Sequence, residues 1–141
     1  MGTTTFSGPL KAGETGSNSI GYALMSQSAV IDIIGASTTT TIGTVPANSQ
    51  IVSCVLNITT ANDDTNAATV TIGTSADADA FLTSTNAKAA ATTFSSAMTS
   101  AATDVGISDT AVIATFTATD GDGSSGAATA TVLYIQGNNL S

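Results

Sequence analysis

Three groups of carboxylates in this chain have residue types and spacings that chemistry could use. Asp120-Gly121-Asp122-Gly123 alternates oxygen ligands with glycine, as the opening of a calcium loop does. A complete loop also needs a bidentate acid near about its twelfth position, and the residues from 131 onward read as a strand without Glu. A hairpin tip, where Asp-Gly is common, is the simpler reading. Asn62, Asp63, Asp64 and Asn66 form a second oxygen-rich run. Adjacent carboxylates in a turn are ordinarily solvated, so this run is read as a polar connection. Asp77 and Asp79 would share one side of an extended segment and could act as an acid and nucleophile pair on a glycosidic bond. Only Phe81 lies nearby to stack against a sugar, and capping of a short turn is the preferred role. No catalytic residue, cofactor site or metal site is assigned from these groups.

The remaining chemistry is narrow. The chain has no His, and its two cationic side chains are Lys11 and Lys88, so the abundant Ser and Thr have no partner base of the usual kind. Ten carboxylates against two lysines leave a net charge of −8, which cannot neutralise phosphates and argues against nucleic-acid binding. Cys54 is the single cysteine, so an intrachain disulfide is impossible. It lies on the apolar side of an alternating segment and is read as a small buried hydrophobe. No run approaches the roughly 18 apolar residues of a membrane span. Met1-Gly2-Thr3-Thr4-Thr5 lacks the basic and apolar regions of a signal peptide.

The elements that must position these residues are strands. Gln50 to Thr60 alternates, with Val52, Cys54, Leu56 and Ile58 on one side and Ser53, Asn57 and Thr59 on the other. The Asn/Asp run then leads into Ala68 to Gly73, and the spacing predicts that the two segments pair as an antiparallel hairpin. Ala111 to Ala118 alternates likewise around Val112, Ala114 and Phe116, and a Gly-rich connection, 119–126, predicts a second hairpin with Ala127 to Ile135. Ile20 to Gln27, Ala29 to Ile34 and the threonine-rich Thr38 to Gly43 supply further strands. Phe81 to Asp109 is the least strand-like stretch, with Asn86 to Ala91 suited to a short helical turn and room for one short strand. Residues 1–19, rich in Gly, Thr and Ser, read as an extended N-terminal arm on a single domain spanning 20–141. About seven or eight strands with no helical period predict an all-β sandwich.

The order Ile42-Gly43-Thr44-Val45-Pro46-Ala47, amphipathic strand, Asn/Asp turn, Val70-Thr71-Ile72-Gly73-Thr74 and Ala76 to Phe81 resembles a group of small tailed-phage virion proteins. These are the capsid decoration, or cement, proteins, with a jelly-roll-like β-sandwich. Val112 to Thr119, the glycine-rich turn and Gly126 to Ile135 resemble their closing strands, and Thr3-Thr4-Thr5-Phe6-Ser7-Gly8-Pro9 is similar to the start of many phage structural proteins. The resemblance implies a non-enzymatic, cofactor-free protein, assembled in a host cytoplasm and carried on the exterior of the virion. It would bind the major capsid protein as a homotrimer and stabilise the shell, without nucleic-acid or membrane partners. The arm would order on a neighbouring subunit or on the shell, with Phe6, Pro9 and Leu10 as its contacts. Two other readings stand beside it. One is a head-fibre or tail-associated receptor-binding module using the 83–110 excursion, and the other is a surface-polysaccharide hydrolase using Asp77 and Asp79.

Overall fold

β-Branched and alternating segments dominate the chain, and in the computed structural model, which describes residues 22–95 and 104–137, they form eight strands and no helix. These are β1 (Tyr22–Ile31), β2 (Thr38–Val45), β3 (Ser49–Thr60), β4 (Ala68–Gly73), β5 (Leu82–Asn86), β6 (Ala91–Phe94), β7 (Thr110–Ala118) and β8 (Ala127–Gly137). They lie in two four-stranded antiparallel sheets, ordered β1-β8-β3-β6 and β2-β7-β4-β5. Every connection except β4 to β5 carries the chain from one sheet to the other, which is the connectivity of an eight-stranded jelly roll. The expected all-β, jelly-roll-like sandwich is therefore the architecture of the described residues. The expected arm, 1–19, with Phe6, Pro9 and Leu10, lies outside them.

Both hairpins expected from the sequence are corrected by this topology. β3 pairs with β8 and β6, while β4 pairs with β7 and β5, so the two lie in opposite sheets. β7 and β8 are separated in the same way. Alternation reports that one face of a strand is buried but carries no record of which neighbour it bonds. The connections 61–67 and 119–126 are long enough to cross the roughly 10 Å between packed sheets. The hairpin that does form joins β4 to β5. It turns through Thr74–Ala80, where Thr74 N–H donates to the Asp77 carbonyl at 2.7 Å and Phe81 N–H to the Ile72 carbonyl at 2.9 Å.

Three smaller expectations also change. The described part of the first of these candidates, 22–27, and the start of the second, 29–31, lie in the single strand β1, registered on β8 from Tyr22 against Gly137 to Ile31 against Ala128, and the strand ends before Asp32. Val52 is half exposed because a bulge between Ile51 and Ser53 shifts the register on β8, and Ile51 takes the buried place instead. The 86–91 stretch makes a tight turn between two strands and not a helical one. Buried Ala87 donates its N–H to the Ala68 carbonyl and accepts from Asn62 N–H, both at 2.9 Å, and these tertiary bonds override a helix propensity marginal at that length.

The core between the sheets is built from Ile, Val, Leu and Ala around Phe116, the largest fully buried side chain. Cys54 is fully buried within it, as expected. None of the described Asp or Lys residues falls inside a strand, so both sheets are electrically neutral and all described charge lies in loops. The two outer faces differ in chemistry. β2, β7 and β4 turn Thr39, Thr115 and Thr71 outward in one cross-strand row, with Thr117 and Thr69 in another. The opposite sheet turns out Leu24, Val30, Val52, Val55, Leu133 and Ile135.

Candidate functional site

The jelly-roll crossovers bring the two oxygen-rich runs together at one end of the sandwich, although they are more than fifty residues apart in the chain. Asn62, the second residue of the β3–β4 loop, is buried; its Nδ2 donates to the Ile33 carbonyl at 2.7 Å and its Oδ1 accepts from Asp64 N–H at 2.9 Å. Asp64 is thereby turned inward. Only 1 % exposed, it accepts from Asn66 N–H at 3.0 Å and from Gly121 N–H, across the junction, at 2.9 Å. Gly121 has φ +69°, the left-handed conformation that a glycine adopts without steric cost, and this allows the β7–β8 loop to present its amide there. The solvated turn expected for Asp63 and Asp64 thus holds for the first residue's exposure and fails for the second.

Asp63 closes the junction from the other side. Its Oδ1 accepts from Ser124 N–H at 2.7 Å and Ser125 N–H at 2.9 Å, and its Oδ2 from the Ser124 hydroxyl at 2.9 Å. Those donors, the Ser125 amide foremost, favour the ionised form and hold its pKa down at about 2. Asp122 reciprocates from the β7–β8 loop, taking the Thr65 hydroxyl at 2.6 Å and Thr65 N–H at 2.9 Å, which also lowers its pKa. Asp120 accepts from the Asn66 side-chain amide. Lys88, from the β5–β6 turn, donates to the carbonyls of Asp64, Asn66 and Thr65 at 2.6, 2.9 and 3.3 Å.

Oxygens of Asp64, Asp120 and Asp122 lie within 4.8 Å of one another, close enough in principle to share a cation. Their donor set points elsewhere. Both oxygens of Asp64 and both of Asp122 already accept N–H or O–H donors, and the Lys88 ammonium lies on the loop carbonyls that would complete an oxygen cage. The arrangement is a latch between two loops, built with protein donors. The residues of this latch stand in the sequence as two separate polar runs, and only the crossover topology brings them together, which no local signal in either run records.

Asp77 and Asp79 are both exposed in the β4–β5 turn. Thr74 Oγ1 accepts from Asp77 N–H at 3.1 Å, and Asp77 Oδ1 accepts from Asp79 N–H at 3.4 Å, which is the turn-capping role preferred from the sequence. Asp77 also lines a groove of about 620 Å³ with Ile51, Phe81, Asp104, Val105 and Asp109, but Asp79 does not, so the two carboxylates do not converge on one substrate position. Of the groove's other acids, Asp109 accepts from Ala47 N–H and Asp104 from Gly106 N–H, each at 2.9 Å. The 83–110 excursion contributes β5 and β6 to the sandwich edges, and its residues 96–103 lie outside the described part.

No family model matches the chain. No curated protein matches its sequence either. Solved structures do match its fold. A chain from the cyanophage Pam1 capsid asymmetric unit superposes with TM-score 0.61 at 16% identity, over 96% of this chain and 99% of that one. A chain of the acidic stable capsid structure of Helicobacter pylori bacteriophage KHP30 gives TM-score 0.60 at 16% identity, over 83% and 93%. A chain of the capsid of Ralstonia phage GP4 gives 0.52 at 13%, over 92% of each. At these identities the likeness is one of fold, and it runs almost from end to end of all three chains.

Proposed function

We propose that this chain is a structural virion protein, a phage head decoration or cement protein that binds the outer surface of the capsid and stabilises the shell as a homotrimer. The observation that carries this reading is the end-to-end likeness to chains of similar size within three phage capsid structures. A strand scaffold free of charge supports it, as does a cluster of carboxylates committed to bonds within the protein and not presented to a substrate. The partner is the major capsid protein, and the segment 1–19, with Phe6, Pro9 and Leu10 as apolar contacts, is the part that reaches a neighbouring subunit or the shell. Each contact is weak, and repetition by symmetry converts modest individual affinities into a stable coat.

The test is co-sedimentation of the purified protein with capsids stripped of small surface proteins. A fixed stoichiometry on the capsid, with a raised temperature of shell disruption, is the expected result. Protein that stays in the supernatant at every concentration would overturn the reading.

A further inference from the structure

We infer that the groove at the end of the sandwich opposite the latch is the seat of the chain's own Lys11, whose side chain anchors the N-terminal segment close to where it enters β1. The inference gives a contact to the segment proposed above to reach the shell, and it does not depend on the capsid being the partner. The groove, of about 620 Å³, joins an apolar floor to an acidic rim. Ile51, Phe81 and the half-buried Val105 form the floor, and the exposed Asp77, Asp104 and Asp109 form the rim. That combination suits a lysine, whose aliphatic stem packs on apolar surface while its ammonium stays at the wet edge.

The rim carboxylates are not used up as those of the latch are. Asp63 and Asp122 each engage both oxygens. Asp77, Asp104 and Asp109 each accept one local N–H through Oδ1, and among the described residues no donor reaches any of their Oδ2 atoms. Three like charges around one opening disfavour one another, and a cation placed between them relieves this. A second observation lies beside the groove. Ser49 is 2% exposed, shares a face of β3 with Ile51 and accepts Val105 N–H through its carbonyl, yet its Oγ has no hydrogen-bond partner among the described residues. Buried polar groups are ordinarily paired, so this end of the sandwich is incomplete in the described residues alone.

Charge and topology together select the occupant. The chain has two cationic side chains, and Lys88 is committed to the loop carbonyls at the opposite end, which leaves Lys11. β1 begins at Tyr22, opposite Gly137, and the adjacent Gln136 lies opposite Ser49, so the chain enters the sandwich at the groove's end. Met25 and Ile51 are both opposite Tyr134, which puts Tyr22 two strands and three residues from Ile51, roughly 14 Å along the sheet. The backbone from Lys11 to Tyr22 can span up to about 36 Å, ample for that gap. Such a tether presents the ammonium at an effective concentration of order millimolar, which a basic group on a separate partner must exceed. Phe6, Pro9 and Leu10 precede the anchor and so remain on the side that continues to a neighbour or the shell.

Carbodiimide cross-linking of the full chain, with linked peptides identified by mass spectrometry, tests the assignment. An amide between Lys11 and Asp77, Asp104 or Asp109 is expected in protein that runs as a monomer, and its yield should fall in ~1 M salt, where charges are screened beyond about 3 Å. The triple variant Asp77→Asn, Asp104→Asn and Asp109→Asn keeps the Oδ1 acceptors and removes the charges. Acetylation of Lys11 by a limiting succinimidyl ester should be about threefold faster in that variant than in wild type, the scale of an exposed ion pair. If the variant does not fold, wild type at low and high salt carries the same comparison. Equal acetylation rates, or links from Lys11 chiefly to Asp79, Asp120 or other acids, overturn the assignment. Links found only between two copies overturn the own-chain seat, and capsid co-sedimentation reports separately on the proposed function.

Discussion

Gln27 fills the space that a side chain at Gly43 would need. The Gln27 carboxamide, from β1, lies where a Cβ on Gly43 of β2 would be, and its Nε2 donates to the Thr44 carbonyl at 2.9 Å and to the Tyr134 hydroxyl at 3.0 Å. One side chain thus ties together the two sheets at their β1–β2 edge, and the absent side chain of Gly43 admits it. Gly43→Ala should cost about 1–3 kcal/mol, since the new methyl displaces the amide and breaks both bonds. In a Gln27→Ala background the same change should cost markedly less, leaving a coupling within the roughly 0.5–3 kcal/mol of residues in contact. Urea denaturation of the four proteins measures the cycle; additive effects would show that the two positions act independently.

The loop latch predicts a specific acid sensitivity. Asp63 has a folded-state pKa of about 2, below its ordinary value of 3.8. A depressed carboxylate pKa means that its stabilisation is complete above the unfolded value and is lost as pH falls through the folded one. Asp63→Asn should therefore lower the melting temperature at pH 7. The gap from wild type should begin to narrow near pH 4 and close towards pH 2. Thermal melts of both proteins between pH 7 and pH 2 check this, and a gap constant across that range would exclude Asp63 ionisation as its cause. Asp122, also lowered by its Thr65 donors, should add sensitivity of the same sign.

Cys54 should be chemically silent in the folded protein. Burial pushes its thiol up to about 12, so thiolate is scarce at pH 8 and the sulfur is enclosed. Alkylation with iodoacetamide at pH 8 should proceed only through opening of the fold, with a rate that climbs steeply across the urea transition. Rapid labelling in native buffer would place Cys54 at an accessible surface.

Much of the fold was legible because burial on one face writes a period of two into the sequence. Cys54, Leu56 and Ile58, and Val112, Ala114 and Phe116, are buried as their alternation predicts. Pairing was not legible. β3 and β4 are consecutive in the chain and both have one buried face, yet that pattern is identical for partners in one sheet and for strands facing each other across a core. The latch was hidden for the same reason. Asp64 and Gly121 meet only because the two crossovers end at the same place, a fact of topology that neither local composition contains. Val52 failed through a bulge, which moves one residue out of phase with no compositional mark.

Lys88 is the place where the latch can be loosened without touching a carboxylate. Its ammonium gathers the carbonyls of Asp64, Thr65 and Asn66, three successive peptide units that would otherwise turn their oxygens to water. Its own backbone is fixed by the Asn86 side chain, whose Oδ1 accepts Lys88 N–H at 2.9 Å, so the β5–β6 turn and the β3–β4 loop are joined through one residue. Lys88→Met keeps the aliphatic stem and removes the three donors. Charged hydrogen bonds contribute about 1.5–3 kcal/mol when enclosed, and because Lys88 is exposed the loss should be smaller, about 1 kcal/mol. The effect should be local. Amide hydrogen exchange should quicken at Asp64, Asn66 and Gly121, whose N–H groups depend on the loop geometry, while amides in β7 and β8 keep their protection. Uniformly faster exchange throughout the sandwich would instead make Lys88 a determinant of global stability, and unchanged exchange would mean the carboxylates hold the loops without it.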